Sequence, residues 1–564
     1  MPDRQTSIPA QFFTPGGKNL SPLAYAFLVL LCVAFFIPGI VSLPPTDRDE
    51  SSFAQASKQM VETGNYVDIR LQDKPRYKKP IGIYWLQAAS VQLFDAAHLN
   101  EIWTYRIPSL VGATVAVVMT AALGSLLFGP LTGFLAAMMM AGCVLLNVEA
   151  RLAKTDAALL GSIMVAQYAL ARAYLNIRMH WRVSLAFWTA LSVGILIKGP
   201  IILLVVLSTL LWLRFTNKNL KWFATLKPLA GIPYLLLLVA PWFIAILLQS
   251  HGAFIEQSAG QDMFAKLWQG QNRGVLPPGL HLIALSVMFF PFALFVLLAI
   301  PDAWENRQKP AVRFCLGWII PTWIVFELSL TKLPHYVLPT YPAIAILTAK
   351  FLLDGFPALA DKPRRWMWAS GIALWLLVGT AFAVAFALLP YLSDHAWSFG
   401  QIVASAFLII TQGAALFFLI QRKTDSVLAL VIGGLIFTSF VFGSTLPRLQ
   451  HLWISRQAVQ IAQTIKPCAR LQIVSASYEE PSFVFLAGTD TLIAHDGVDA
   501  AIAMQHNTCL IGIIDNQHQQ SFLAAFSHKA RQPMMIGKAE GLNIGQGHPN
   551  ELAVYIMQPT AKHP

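Results

Sequence analysis

The chain reads PLAYAFLVLLCVAFFIPGIV from Pro22 to Val41. Four residues later it reads TDRDESSFAQASKQMVETGNYVDIRLQDKPRYKKP from Thr46 to Pro80. The first run is long enough to cross a bilayer as a helix. The second is dense in charge: Arg48, Lys58, Arg70, Lys74, Arg76, Lys78 and Lys79 are mixed with Asp47, Asp49, Glu50, Glu62, Asp68 and Asp73. An apolar span that gives way at once to such a segment marks a membrane protein with work to do at one face of the bilayer.

The rest of the chain bears out the first half of that reading. Its 564 residues are 56% hydrophobic and 12% charged, against about 25% charged in soluble proteins. Apolar stretches recur at 105–128, 131–149, 155–175, 183–197, 200–215, 228–248, 280–300, 314–330, 337–354, 367–390, 399–420 and 426–446. With 22–42 they make about thirteen expected transmembrane helices. The runs are continuous rather than alternating, which excludes a membrane barrel. Residues 81–95 are too short to span and are expected to lie along the interface, with Tyr84 and Trp85 at headgroup level. The first twenty residues are polar, and no small-x-small pattern follows the first run, so it reads as a retained span rather than a cleaved signal.

The formal charge of +12 is not a nucleic-acid signal, because much of it sits in short loops that set topology. With the N-terminus in the cytoplasm, five basic clusters fall inside: Arg172/Arg178/Arg182, Arg214/Lys218/Lys221/Lys227, Arg307/Lys309/Arg313, Lys362/Arg364/Arg365 and Arg422/Lys423. The opposite side receives the 43–80 loop, Glu149 to Asp156, Lys198-Gly-Pro200, the 249–279 loop, Thr331 to Tyr336 and everything after Leu446. The 43–80 loop thus carries its lysines and arginines where they are normally scarce.

Composition changes at Pro447. Segments 471–477, 491–495, 508–515 and 551–557 are short apolar runs suited to buried strands, and 497–505 and 519–527 suit helices. A small α/β domain over 447–564 is expected beside a transmembrane unit over 1–446. Cys468 and Cys509 lie in this tail and could pair if it is extracytoplasmic. Cys32, Cys143 and Cys315 sit in apolar spans and read as small hydrophobes.

Four groups on the outer side carry candidate chemistry. Asp49-Glu50 opens an amphipathic helix at 49–63, with Phe53, Ala56 and Met60 on one face, that can lie at the membrane surface. Capping the helix dipole accounts for such a pair. The functional reading makes Asp49 a general base for an acceptor hydroxyl or amine. Lys78-Lys79-Pro80 reads as headgroup snorkelling or as a clamp on a lipid phosphate. Arg151-Leu-Ala-Lys154-Thr-Asp156 reads as an ion pair between spans or as a second carboxylate in a cavity. Lys332, Pro334, His335, Tyr336, Pro339 and Pro342 break a helix and free backbone to line a water-filled cavity. Glu256, Asp262, Lys266 and Arg273 in the 249–279 loop read mainly as solvated. An outward cavity of this kind suits an amphipathic substrate with a phosphate at headgroup level, such as a polyprenyl-phosphate sugar. A flippase or transporter is the competing class, but there is no inverted repeat.

The order of these motifs, DE at 49–50, KKPIGIYWLQ at 78–87, AKTDAAL at 153–159 and KLPHYVLPTYP at 332–342, resembles the ArnT-like integral membrane glycosyltransferases of the GT-C fold, related to the protein O-mannosyltransferases. The resemblance implies an inverting transfer from a polyprenyl-phosphate sugar to an envelope acceptor at the periplasmic face of the inner membrane. Lipid A or lipopolysaccharide core is the expected acceptor, with a protein or another glycan as the variant. It implies Asp49, Glu50 and Asp156 as catalytic carboxylates and Lys79, Lys78, Tyr336 and Lys332 at the donor phosphate. Arg48, Tyr84, Lys154 and His335 are then expected in the substrate cavity. No cofactor is implied with certainty, no metal ligands are assigned, and a divalent cation is left open. Two departures stand out. Ser52 and Phe53 replace the Arg and Tyr of the aminoarabinose enzymes, and Lys78 replaces a Glu. The second departure implies an anionic sugar or a more phosphorylated acceptor.

Overall fold

A computed structural model describes residues 8–258 except 15, 16 and 18, then 277–354, 365–465 except 422, Cys468, 472–527 and 531–558. Among them, eight helices are long and apolar enough to cross a membrane, and Pro22–Phe36, Pro130–Gly142 and Ile201–Asn217 are shorter apolar helices. The chain is a multi-pass membrane protein. Some of the expected spans differ from a single lipid-facing helix. The 280–300 stretch divides into helices Leu280–Met288 and Ala293–Glu305, with Pro291, which has no N–H to donate, between them. The 155–175 stretch is a helix, Asp156–Tyr174, that carries Asp156 and Arg172 and is largely enclosed by protein.

The helices that place the site are α1 (Pro22–Phe36), α2 (Asp49–Thr63), α3 (Gly82–Leu93), α4 (Ile102–Phe128), α5 (Pro130–Gly142), α6 (Val144–Glu149), α7 (Asp156–Tyr174), α8 (Trp181–Lys198), α9 (Ile201–Asn217) and α10 (Pro228–Gln249). Ser21 caps α1 by accepting from the Ala24 amide, and Pro22 occupies its first turn. The expected span 131–149 breaks at Cys143, whose backbone is extended; the Val144 amide then donates to the Phe290 carbonyl. This break lets α6 carry Glu149 to the cavity end. Helices α4 and α7 pack with their backbones nearly touching. A Cβ on Gly112 would overlap Ala157 and Ala158, and one on Gly161 would meet Gly112. Small residues at that crossing fix where α7 begins, and so where Asp156 sits.

The two ends of the bundle differ in character. At one end Arg313 donates to Asn217 and Gln308, and Tyr174 packs on Trp222 and Phe314. Three of the basic clusters therefore gather there. The starts of α7 and α9 and the end of α8 lie at the other end, with the 46–80 segment.

That segment is not a surface helix. Helix α2 is enclosed by α3 on one side and the C-terminal domain on the other, with Glu50 to Lys58 and Met60 buried. Tyr84 is likewise fully buried, its ring 5.4 Å from Phe53, rather than at headgroup level; Trp85 is partly exposed. The interfacial expectation failed because it treated α2 and α3 singly, whereas each gives its apolar side to the other.

The tail forms a five-stranded sheet, β3 (Gln472–Ala476), β4 (Leu492–Ala494), β5 (Leu510–Asp515), β6 (Pro533–Asn543) and β7 (His548–Met557), in the order β4-β3-β5-β7-β6. A small hairpin, β1 (Arg70–Leu71) with β2 (Lys74–Pro75), precedes it in the 46–80 segment. Strands β3, β4 and β5 are parallel, and β7 and β6 add antiparallel. Two core clusters cover the two faces of this sheet. Cys468 and Cys509 form a disulfide. The tail grips α2 and the hairpin directly. Gln55 donates to Thr489 at 2.8 Å, Lys58 to the Phe485 carbonyl at 3.3 Å, and Gln72 to the Thr491 carbonyl at 2.7 Å.

Candidate active site

A cavity of about 670 Å³ opens at the end of the bundle opposite the clustered basic loops. Its head is polar: Asp49, Arg76, Lys78, Lys79, Lys154, Asp156, Lys198 and His335 line it. Its remainder is apolar, with Ile201, Leu204, Phe243, Leu247, Val325 and Phe326 among the walls. Five cationic side chains stand against two carboxylates, so the head favours an anion while the walls accept hydrocarbon.

Asp49 reaches this cavity because α2 starts there. Its own side chain is exposed into the opening. Asp156, at the first turn of α7, is gripped by its neighbours. Lys198 Nζ lies 2.6 Å from its Oδ1 and Lys154 Nζ lies 4.0 Å from its Oδ2. His335 Nε2 stands 3.9 Å from Asp156, and its Nδ1 stands 3.8 Å from Glu149. Lys154 also bridges to Glu149 at 3.0 Å. Burial pulls the Lys154 ammonium down, but Glu149 and Asp156 outweigh it and hold the ammonium charged well above its ordinary range. Tyr336 lines the cavity with its ring 5.8 Å from Lys198 Nζ.

Seven of the expected site residues therefore meet in one place: Asp49, Lys78, Lys79, Lys154, Asp156, His335 and Tyr336. Four lie elsewhere. Glu50 is fully buried behind the cavity, where Arg106 binds it through Nε at 2.8 Å and Nη2 at 3.1 Å. The amides of Thr46 and Ala153 also donate to it, at 2.9 and 3.0 Å. Burial pushes the Glu50 carboxyl up, yet Arg106 and these donors prevail and hold it below the usual carboxylate range. Arg106 spends its remaining N–H groups on the carbonyls of Ile40, Leu43 and Pro44. Arg48 turns to the tail and donates to the Gly545 carbonyl. Tyr84 accepts from Arg76 at 3.0 Å inside the protein. Lys332 is buried and donates to the Ser329 carbonyl at 2.8 Å. Arg151 likewise serves the frame: it donates to the Pro38 carbonyl at 2.7 Å and stacks 4.3 Å from the Phe442 ring, without pairing with Asp156.

Two lining cations had no assigned role in the sequence reading. Arg76 lies 4.8 Å over the Phe53 ring, and Lys198 holds Asp156. Lys198 carried a usable signal, a lone lysine before Gly199-Pro200 at the outer end of a span. From the 249–279 loop, Phe254, Ile255 and Ser258 line the cavity; Asp262, Lys266 and Arg273 lie outside the described residues. Among the described residues no group of three or more His, Cys, Asp or Glu is placed to hold a metal ion.

Comparison with known proteins accords with this geometry. The family described as dolichyl-phosphate-mannose-protein mannosyltransferase matches residues 78–244. The chain is 24% identical over 415 residues to the undecaprenyl phosphate-alpha-4-amino-4-deoxy-L-arabinose arabinosyl transferase of Pectobacterium carotovorum, covering 71% of each chain. It is 25% identical over 395 residues to the second such transferase of Pseudomonas fluorescens, covering 67% of its own length and 64% of that protein. ArnT from Cupriavidus metallidurans bound to undecaprenyl phosphate superposes with a TM-score of 0.72 at 17% identity, over 95% of this chain and 98% of that one. The chain thus shares the fold of ArnT and is similar in sequence to the aminoarabinose transferases and, over residues 78–244, to the protein mannosyltransferase family.

Proposed function

We propose that the chain transfers a sugar from a polyprenyl-phosphate donor to lipid A or lipopolysaccharide core, at the periplasmic face of the inner membrane. Residues 1–446 form the transferase unit, and 447–564 form a periplasmic domain docked on it. The observation that supports this most is the two-part cavity, an apolar channel that ends in a cationic head with one exposed carboxylate, Asp49.

The prenyl chain lies along Ile201, Leu204, Phe243, Leu247 and Phe326. The phosphate rests against Lys78, Lys79 and Tyr336, with Arg76 and Lys198 close by. Asp49 accepts the proton of the acceptor hydroxyl as its oxygen forms a bond to the anomeric carbon. The bond from that carbon to the phosphate oxygen breaks on the opposite face, with its electron pair leaving on the phosphate. Attack from the opposite face inverts the anomeric centre. The lysines stabilise the charge that grows on the leaving group, in a site shaped before the reaction begins. Asp156, fixed by Lys198 and Lys154, orients the cations rather than taking the proton.

Purified protein supplied with a polyprenyl-phosphate sugar and lipid A should yield lipid A heavier by one sugar residue in mass spectrometry. Asp49→Asn should slow the transfer by about 10³-fold. Movement of lipid between leaflets with no change in acceptor mass would favour a flippase instead.

A further inference from the structure

The start of α2 has a backbone that its own sequence does not favour. Arg48, the residue before Asp49, has φ 65° and ψ −107°, a conformation rare for a residue with a Cβ, and no side chain caps the helix there. Residues persist in such states when their surroundings impose them, and they cluster at functional sites. What surrounds Arg48 comes from two directions. From within the bundle, Arg106 and Glu50 tie down the next turn. From the tail, the Ser482 amide donates to Asp47 Oδ1 at 3.3 Å, and the Gly545 carbonyl accepts from the Arg48 guanidinium. The two residues immediately before Asp49 are thus each held by the C-terminal domain, while Asp49 itself points into the cavity.

A Cβ at Gly545 would press on the carboxylate of Glu480, the far end of a flexible side chain, so the two positions are coupled through that carboxylate. Glu480 stands at the N-terminal end of the helix Pro481–Ala487, the same helix that supplies the Ser482 amide. One loop and one helix end of the tail therefore close on Asp47 and Arg48 together.

We propose that the C-terminal domain is a positioning device for the reaction: through Gly545 and Ser482 it holds Arg48 in its positive-φ conformation and so aims the Asp49 carboxylate at the acceptor. This rests on the assignment of Asp49 as the base. Gly545, Ser482 and Arg48 are positioning residues and touch neither donor nor acceptor. Lys78 and Lys79 follow the β1–β2 hairpin, which the tail holds through Gln72 and not through Gly545 or Ser482, so loosening the clamp on Asp47 and Arg48 moves the base while the hairpin contacts stay in place.

The test uses the full-length protein in lipid nanodiscs. Gly545→Ala should lower kcat by roughly ten- to hundredfold, the cost of a misplacement of about 1 Å. The KM for the polyprenyl-phosphate sugar should stay within about twofold, since the donor-binding lysines are untouched. Glu480→Ala, which vacates the space a Cβ would enter, should restore kcat in the double variant. Hydrogen exchange at the Ser51 and Ser52 amides should quicken in Gly545→Ala and recover in the double variant, and this readout does not depend on turnover. A Gly545→Ala protein with unchanged exchange at those amides, or with quickened exchange and an unchanged kcat, overturns the proposal. If Asp49→Asn retains full transfer, the assignment of the base fails instead; the exchange data then still decide whether the tail holds this turn.

Discussion

Asp49 and Glu50 are neighbours in the first turn of one helix, yet they belong to two different regions of the molecule. Glu50 sits in a knot where every polar atom has a protein partner: Arg106 on one side, the amides of Thr46 and Ala153 on the other. Asp49 opens into a cavity whose other polar groups are mostly cations. Charge near a membrane is costly in both places. In the knot the cost is offset inside the protein, and the result is a rigid joint between the end of α1, α2, α4 and the loop before α7. In the cavity it is left for a substrate to offset. On the proposed function, what separates the functional carboxylate from the structural one is the satisfaction of its lone pairs, not its residue type or its neighbours in sequence.

Glu50→Gln is the sharpest way to break that comparison. It leaves the Arg106 charge buried with half its partners, a loss on the order of 3–5 kcal/mol. The expected outcome is a large drop in the thermal midpoint and in folded yield, measured by fluorescence-detected size exclusion, whereas Asp49→Asn should leave both unchanged. Adding Arg106→Met should restore only part of the stability, because the carbonyls of Ile40, Leu43 and Pro44 lose their donor. A well-folded but inactive Glu50→Gln protein would place Glu50 with Asp49 in the chemistry.

The cavity region should respond in binding rather than in folding. Lys79→Ala is expected to raise the KM for the donor by about tenfold, the worth of one hydrogen bond to a charged phosphate, with no change in thermal midpoint. Lys78→Glu tests the anionic partner implied by this lysine. It should depress turnover with an anionic sugar or a phosphorylated acceptor more than with a neutral one, and equal activity on both would remove that idea.

The smallest effect is expected from the pH response of stability at the tail contact. Burial, partly opposed by the Ser482 donors and Arg48, pushes the Asp47 carboxyl up. Burial, with Asp47 adding to it, does the same to Glu480. The groups facing this pair are Arg48, Glu479 and Tyr478. Groups with raised carboxyl pKa values bind more protons folded than unfolded, so their contribution to stability falls as pH rises through and above the ordinary carboxylate range near 4. Asp47→Asn should therefore gain thermal midpoint relative to the wild type as pH is raised from about 4 to 7. A difference that stays flat with pH would show that the pair does not titrate with docking.

Much of the frame was legible in the residues. Continuous apolar runs located most of the helices, and the strands β3, β4, β5 and β7 stood out as short apolar runs. Strand β6, PMMIGKAEGLN, was missed because it is an edge strand half open to solvent and carries two glycines. The broken helices at Cys143 and Pro291 were missed because hydropathy reports only how apolar a segment is, and both halves of each are apolar. Within the site, Asp49, Lys79 and Asp156 could be singled out by charge on the sparsely charged side. Arg106 could not. It lies inside an apolar span with no charged neighbour in sequence, and its partner is Glu50, fifty-six residues away. Arg48 was misplaced for a related reason: its partner Gly545 is 497 residues distant. Pairings of that span are products of the fold, and no local pattern announces them.

The central claim is that this cavity breaks one sugar–phosphate bond for each bond it makes to an acceptor. The direct measurement is the molar ratio of free polyprenyl phosphate released to glycosylated lipid A formed, followed by mass spectrometry in a single reaction of the wild-type protein. A ratio of about one, with both products lost together in Asp49→Asn, is the expected result. Glycosylated acceptor absent while donor lipid is merely redistributed, or polyprenyl phosphate released with no acceptor product, would contradict it.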